Sequence, residues 1–188
     1  MIDITSVGEI LIDFTQVGFN ESGIPLFAAN PGGAPANLAV AASKLGATTA
    51  FIGKVGTDNF GSLLQDTLNK NNVDTKGLVM DNFNRTTLAV VALDQFGERT
   101  FSFYRNPSAD VNLTMNEISE EQLKHTHFLH FGSVSLTTEP SRSATLYAVK
   151  TAKKYGSLIS YDPNYRANLW SDEKTAIEKI IEPLSTQW

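Results

Sequence analysis

The stretch Asn30-Pro31-Gly32-Gly33-Ala34-Pro35-Ala36-Asn37 leaves the chain little freedom in how it folds locally. Residues Ala36–Leu45 are mostly small and apolar with high helix propensity, and Gly46 supplies a C-terminal stop. Pro35 suits the first helical turn, where no amide donor is needed. The segment therefore reads as a tight Gly-Gly turn feeding a helix. Paired glycines let backbone approach a ligand with no Cβ in the way. The helix start adds unpaired N–H groups and a partial positive charge. Asn37, in the first turn, carries an amide that both donates and accepts. This set suits a polyhydroxylated ligand better than an apolar one. The same residues also make an ordinary strand-to-helix turn that binds nothing, so the rest of the chain has to decide.

Strand and helix patterns alternate along it. Residues 2–14 carry an apolar strand pattern interrupted at Gly8-Glu9, and Gln16–Asn30 reads as a loop with a short strand at Ile24–Ala28. A β-branched and aromatic strand spans Thr48–Gly53. Phe60–Asn71 is an amphipathic helix, its Phe60, Leu63, Leu64 and Leu68 sharing a face. A short strand follows at Lys76–Met80. Thr86–Leu93 and Arg99–Tyr104 predict a hairpin around Asp94-Gln95-Phe96-Gly97. Its first strand is apolar on both faces, with Leu88, Val90 and Ala92 on one and Ala89, Val91 and Leu93 on the other, so something should cover it. Ser119–His125 reads as a helix with a Ser119-x-x-Gln122 capping box. Phe128–Phe131 is a strand, Pro140–Tyr155 a helix, Leu158–Tyr161 a strand, and Ser171–Glu182 a helix with Ser171 as N-cap. This alternation predicts an α/β fold with a mostly parallel sheet.

Several polar residues stand out against that frame. Asp13 is an acid near the end of an apolar run. At the carboxyl end of a strand it would accept from two hydroxyls, and as a turn residue it would merely cap. Arg105 ends a hairpin strand, where it either reaches a ligand or lies in solvent. Asp162-Pro163-Asn164-Tyr165-Arg166 directly follows a strand. His125, His127 and His130 are spaced for neither one helix face nor one strand face, so no metal site is expected from them.

Composition closes off other classes. With no cysteine, disulfides and thiolate metal sites are excluded. The net charge of −5 and fifteen scattered Lys and Arg give no basis for a nucleic-acid or anionic-membrane partner. No apolar run approaches the roughly 20 residues of a membrane span. Met1-Ile2-Asp3-Ile4 does not resemble a signal peptide, and a cytoplasmic location is expected.

Gly32-Gly33-x-Pro35-x-Asn37-x-Ala39, followed by Gly46 and Gly56, resembles the N-terminal signature of the PfkB, or ribokinase-like, carbohydrate kinases. Gly53-Lys54-Val55-Gly56-x-Asp58-x-Phe60-Gly61 extends the likeness. Gly8-Glu9-Ile10-Leu11-Ile12-Asp13 and Asp162-Pro163-Asn164-x-Arg166 before Leu169-Trp170 bring it to bacterial fructokinases. The resemblance covers essentially the whole chain but only the N-terminal part of a family member.

What the resemblance implies is a single three-layer α/β/α ribokinase-like domain, with residues 1–188 as its N-terminal part. Lid segments at about 16–30 and 86–105 would be inserted in it. Asp13, Gly32, Gly33 and Asn37 would bind the sugar, Arg105 would contact it from the lid, and Asn164 and Arg166 would face the transferring phosphate. The reaction would be ATP-dependent phosphorylation of fructose with Mg2+, and lids would pair across a homodimer. The family's second signature, Asp-Thr-x-Gly-Ala-Gly-Asp, is not found in these 188 residues. It holds the anion hole and the catalytic base, so the segment by itself is expected to be inactive. The rival readings are 2-keto-3-deoxygluconate or a nucleoside as substrate, a non-catalytic sugar-binding or dimerisation module, and a Rossmann dinucleotide binder. The last would need Gly-x-Gly-x-x-Gly after the first strand, where Thr15-Gln16-Val17-Gly18 stands instead.

Overall fold

The computed structural model describes residues 1–93 and 99–185. Five parallel strands form the central sheet: β1 (Ile2–Val7), β4 (Thr49–Gly56), β5 (Val73–Asp81), β8 (Thr126–Gly132) and β9 (Leu158–Asp162), in the order β5-β4-β1-β8-β9. β4 is buried at every residue, as a parallel strand covered on both faces should be. Its neighbours Phe51 and Ile52 enter different cores because successive side chains point to opposite faces. Phe51 packs with Ala36 and Ala39 of α1 (Ala34–Lys44) and Leu64 and Leu68 of α2 (Asn59–Lys70). Ile52 packs with Leu129, Phe131 and the Ala144–Ala148 stripe of α4 (Ser141–Lys154). α3 (Glu120–Lys124) lies against α4. α5 (Glu173–Ser185) is tied to α4 by an Arg142–Glu182 ion pair and to β9 by Tyr161 Oη donating to the Ile180 carbonyl. The expected α/β/α sandwich is thus present.

A second sheet of four strands, in the order β3-β2-β6-β7, stands over one end. It joins β2 (Leu11–Phe19), β3 (Pro25–Gly32), β6 (Leu88–Leu93) and β7 (Arg99–Tyr104). β2 runs parallel to β6, and the outer pairs are antiparallel. One expectation is met here and one needs correction. The interruption expected at Gly8-Glu9 is real, since Gly8-Glu9-Ile10 carries the chain from the central sheet into the lid. Gln16–Asn30 is not mainly loop, since β2 continues to Phe19 and pairs with an eight-residue β3. Its polar and glycine residues masked the pattern, and cross-strand pairing overrode weak local propensity. The Asp94–Gly97 turn lies outside the described residues.

Smaller differences have equally local causes. Asp172, not Ser171, caps α5, its Oδ1 accepting from the Thr175 N–H at 2.8 Å. Ser119 accepts from the Gln122 N–H at 3.3 Å, but the Gln122 amide is buried without a partner, so that capping box is only half made. The complete box is Thr114 with Glu117. The Gly56–Gly61 motif is a packing device. Asp58 caps α2 through the Phe60 and Gly61 N–H groups and also accepts from Thr86. A Cβ on Gly61 would collide with the Gly56 carbonyl.

The strand order fixes where a ligand can sit. From β1 the chain builds outward to β4 and β5, then returns to place β8 on the other side of β1. The strands therefore diverge at β1–β8, and such a switch point opens a crevice at the carboxyl ends of the strands. β2 rises from that end of β1, so the lid stands over the crevice.

Candidate functional site

Asp13, on β2, hangs directly above Gly32, its partner strand's last residue. A Cβ on Gly32 would lie 2.1 Å from Asp13 Oδ2, so glycine here makes room for the carboxylate. Gly33 has φ +104°, and a Cβ there would meet the Glu9 carbonyl oxygen at 2.5 Å. Only glycine satisfies both demands. The turn then releases the chain into α1, where Asn37 is exposed in the first turn.

From the opposite wall, Asp162 at the end of β9 accepts from the Asn164 N–H at 3.0 Å. This Asx turn holds Asn164 at φ 38° and leaves Arg166 exposed at the cavity wall. The Asp13 carboxylate accepts no hydrogen bond among the described residues, whereas its backbone carbonyl accepts from Asn30 Nδ2 at 3.4 Å. Burial pushes its carboxyl above the ordinary value, and the Arg166 guanidinium draws it partly back.

A cavity of about 170 Å³ brings together Asp13, Gly33, Asn37, Asn164 and Arg166, with Phe103 and Leu169 as apolar walls. A chemically mixed pocket of this kind, two amides, a carboxylate and a guanidinium around an apolar wall, fits a small polyol.

Arg105 departs from both of its expected places. It is 8% exposed, which excludes the solvated surface arginine. Nor does it line the Asp13 cavity. Its Nε donates to Asp110 Oδ2 at 2.7 Å, Nη1 to Thr137 Oγ1 at 2.8 Å and Nη2 to the Val134 carbonyl at 3.1 Å. Asp110 in turn accepts from Thr87 and Ser108. The network pins the base of the lid to the body. Arg105 faces an adjoining cavity of about 520 Å³ that shares Phe103 and Leu169 with the first.

Glu9 is the residue that sequence reasoning missed. It is 4% exposed and lines the Asp13 cavity. Oε1 accepts from the Ala34 N–H at 3.2 Å, while Oε2 is buried with no partner. Burial pushes its carboxyl up to about 7, against the pull of its own backbone and of Arg105. The available signal was an acid held between two apolar runs just after Gly8.

The three histidines diverge. His125 meets Glu121, His127 packs on Phe128, and His130 is within 3.0 Å of Ser160 Oγ. Among the described residues no group of three or more His, Asp or Glu side chains is placed to hold a metal ion. Nor is any helix among them long and apolar enough to cross a membrane.

A parallel α/β/α sandwich with a polar, sugar-sized cavity at its switch point and a β lid above it defines a ribokinase-like fold. The family model for "pfkB family carbohydrate kinase" matches residues 1–186, and the chain belongs to that family. It is 48% identical over 180 residues to fructokinase-1 of Zea mays, covering 95% of this chain and 56% of that protein. The fructokinase of Xylella fastidiosa with bound ATP superposes with a TM-score of 0.90 at 34% identity, covering 97% of this chain and 55% of that one. The fructokinase of Vibrio cholerae O395 in its fructose, ADP and calcium ion bound form gives 0.84 at 36%, covering 97% and 57%. The chain thus spans a little over half the length of these relatives.

Proposed function

We propose that this chain carries the sugar-binding side of an ATP-dependent fructokinase. The observation that supports this most is the Asp13 carboxylate, unpaired by hydrogen bonds, facing Asn37 and Arg166 across the cavity. Asp13 accepts from two sugar hydroxyls, and Asn37 and the Gly33 backbone complete the cradle. Such charge-assisted bonds are the stronger kind. Asn164 and Arg166 stand where the acceptor hydroxyl would meet the phosphoryl group, and a guanidinium there offsets charge on the moving oxygens. In this reading the protein acts by positioning and electrostatics. Arg105 supports the lid and reaches ligand only through the adjoining cavity.

Relatives solved with ATP and with fructose support the substrate pair. Mg2+ is not assigned to residues here, because the described side chains offer no cluster for it. Since no Gly-Ala-Gly-Asp string lies within the 188 residues, we assign binding rather than turnover to this segment. Lid pairing in a homodimer accords with the exposed apolar side chains Val17, Phe19, Ile24, Leu26 and Phe27 on β2, β3 and their connection.

Calorimetric titration with fructose and with 2-keto-3-deoxygluconate tests the reading. Fructose should bind more tightly, and Asp13→Asn should weaken it by about 2 kcal/mol. Equal binding by the variant, or preference for the keto acid, refutes it. A coupled kinase assay on the same chain should show no turnover.

A further inference from the structure

We propose that Glu9 is a positioning residue for the sugar cradle, acting as a remote cap that holds the Gly33–Ala34 turn in its binding geometry. This rests on the sugar-binding reading of the cavity.

Helix α1 begins without local help. Its N-cap, Gly33, has no side chain, and its first turn contains no acid. Helices normally satisfy these orphan donors with a nearby Ser, Thr, Asp or Asn. Here the acceptor comes from 25 residues upstream, as Glu9 Oε1 on the Ala34 N–H. Glu9 holds the same turn through its backbone as well, because its carbonyl fills the space a Gly33 Cβ would need. The cradle residues Gly33 and Asn37 sit on either side of that contact, and Asn37 N–H donates to the Gly33 carbonyl at 2.9 Å. Moving the turn therefore moves both.

The other carboxyl oxygen sets the protonation state of the group. Oε2 is shielded from water and meets no donor. A buried, unpaired carboxylate oxygen is costly, so the group keeps its proton to about neutral pH. The charges facing it are Arg105 from the end of β7 and Asp110 from the turn that follows, and these largely answer each other through their own ion pair. The α1 N-terminus adds a partial positive charge. Deprotonation near neutral pH strengthens the hold on Ala34 but places an uncompensated charge behind the cradle. The turn should respond to pH as a result.

The test uses the whole chain, labelled with nitrogen-15, as wild type, Glu9→Gln and Glu9→Leu. Gln keeps the carbonyl acceptor and removes the titration, whereas Leu removes the acceptor. The Ala34 amide signal is followed from about pH 5 to pH 9, together with its hydrogen exchange and with fructose affinity. The Ala34 signal should titrate near neutrality in wild type and stay still in Glu9→Gln, which retains sugar affinity. Glu9→Leu should exchange Ala34 faster and bind fructose about tenfold more weakly, the scale of a lost cap. Unchanged exchange and affinity in Glu9→Leu overturn the proposal, as does an Ala34 titration that persists in Glu9→Gln. Should Glu9→Leu fail to fold, the comparison of wild type with Glu9→Gln decides. If wild type binds no fructose yet Ala34 behaves as expected, the sugar reading falls and the Glu9 cap stands.

Discussion

Removing the Asp110 carboxylate should destabilise the chain far more than any exposed ion pair. Asp110 has a side-chain exposure of 3% and Arg105 of 8%. Three donors converge on the carboxylate: Arg105 Nε, Thr87 Oγ1 and Ser108 Oγ. Asp110→Ala leaves the guanidinium buried with its Nε unpaired and strips the buried Thr87 hydroxyl of its acceptor, while Ser108 Oγ keeps the Arg105 carbonyl. Breaking a buried pair from one side costs about 3–5 kcal/mol, chiefly because the other charge is stranded. The solvent-exposed Lys124–Glu121 pair provides the control, since water screens it and breaking it strands no buried charge. Urea unfolding at constant pH reads both, and equal slopes for the variants keep the comparison valid. The double variant Arg105→Met with Asp110→Leu should recover most of the loss, since no stranded charge remains. A cost under about 1 kcal/mol for Asp110→Ala, or a double variant as unstable as the single one, refutes the claim that this network pins the lid.

Further outcomes follow from the same geometry. Glu9, raised from 4.5 to about 7, contributes stability that is complete below pH 4.5 and is lost as pH rises through about 7. At about 1.4 kcal/mol per pH unit the loss is on the order of 3–4 kcal/mol. His130, held down by burial, works with the opposite sign below its ordinary value. The difference between wild type and Glu9→Gln therefore isolates Glu9, and parallel pH curves for the two would disprove its burial as a neutral acid. Asp13→Asn should weaken fructose binding by about 2 kcal/mol, the scale of a charged hydrogen bond, and an unchanged titration would reject its role. Leu26→Lys with Phe27→Lys should convert a dimer to monomer in sedimentation if the lid tips pair. If Leu158→Lys does so instead, the association runs through the exposed β9 edge of the sheet.

The sequence by itself determined what depends on near neighbours. Gly32-Gly33-Ala34-Pro35 dictated a turn into a helix because glycine conformational freedom and proline geometry act within a few residues. The apolar periodicities of α2, α4 and β8 were legible for the same reason, and alternating patterns sufficed for a parallel α/β fold. Tertiary structure decided everything that rests on distant pairing. The Gln16–Phe19 extension of β2 forms only because β3 lies beside it. Arg105 lies outside the Asp13 cavity because Asp110, Thr137 and Val134, from separate turns, enclose its guanidinium. Glu9 gained its place because β1 delivers it beneath the start of a helix 25 residues later. A charge's partner and its burial are set by where separate elements meet, and one-dimensional pattern carries no measure of that distance.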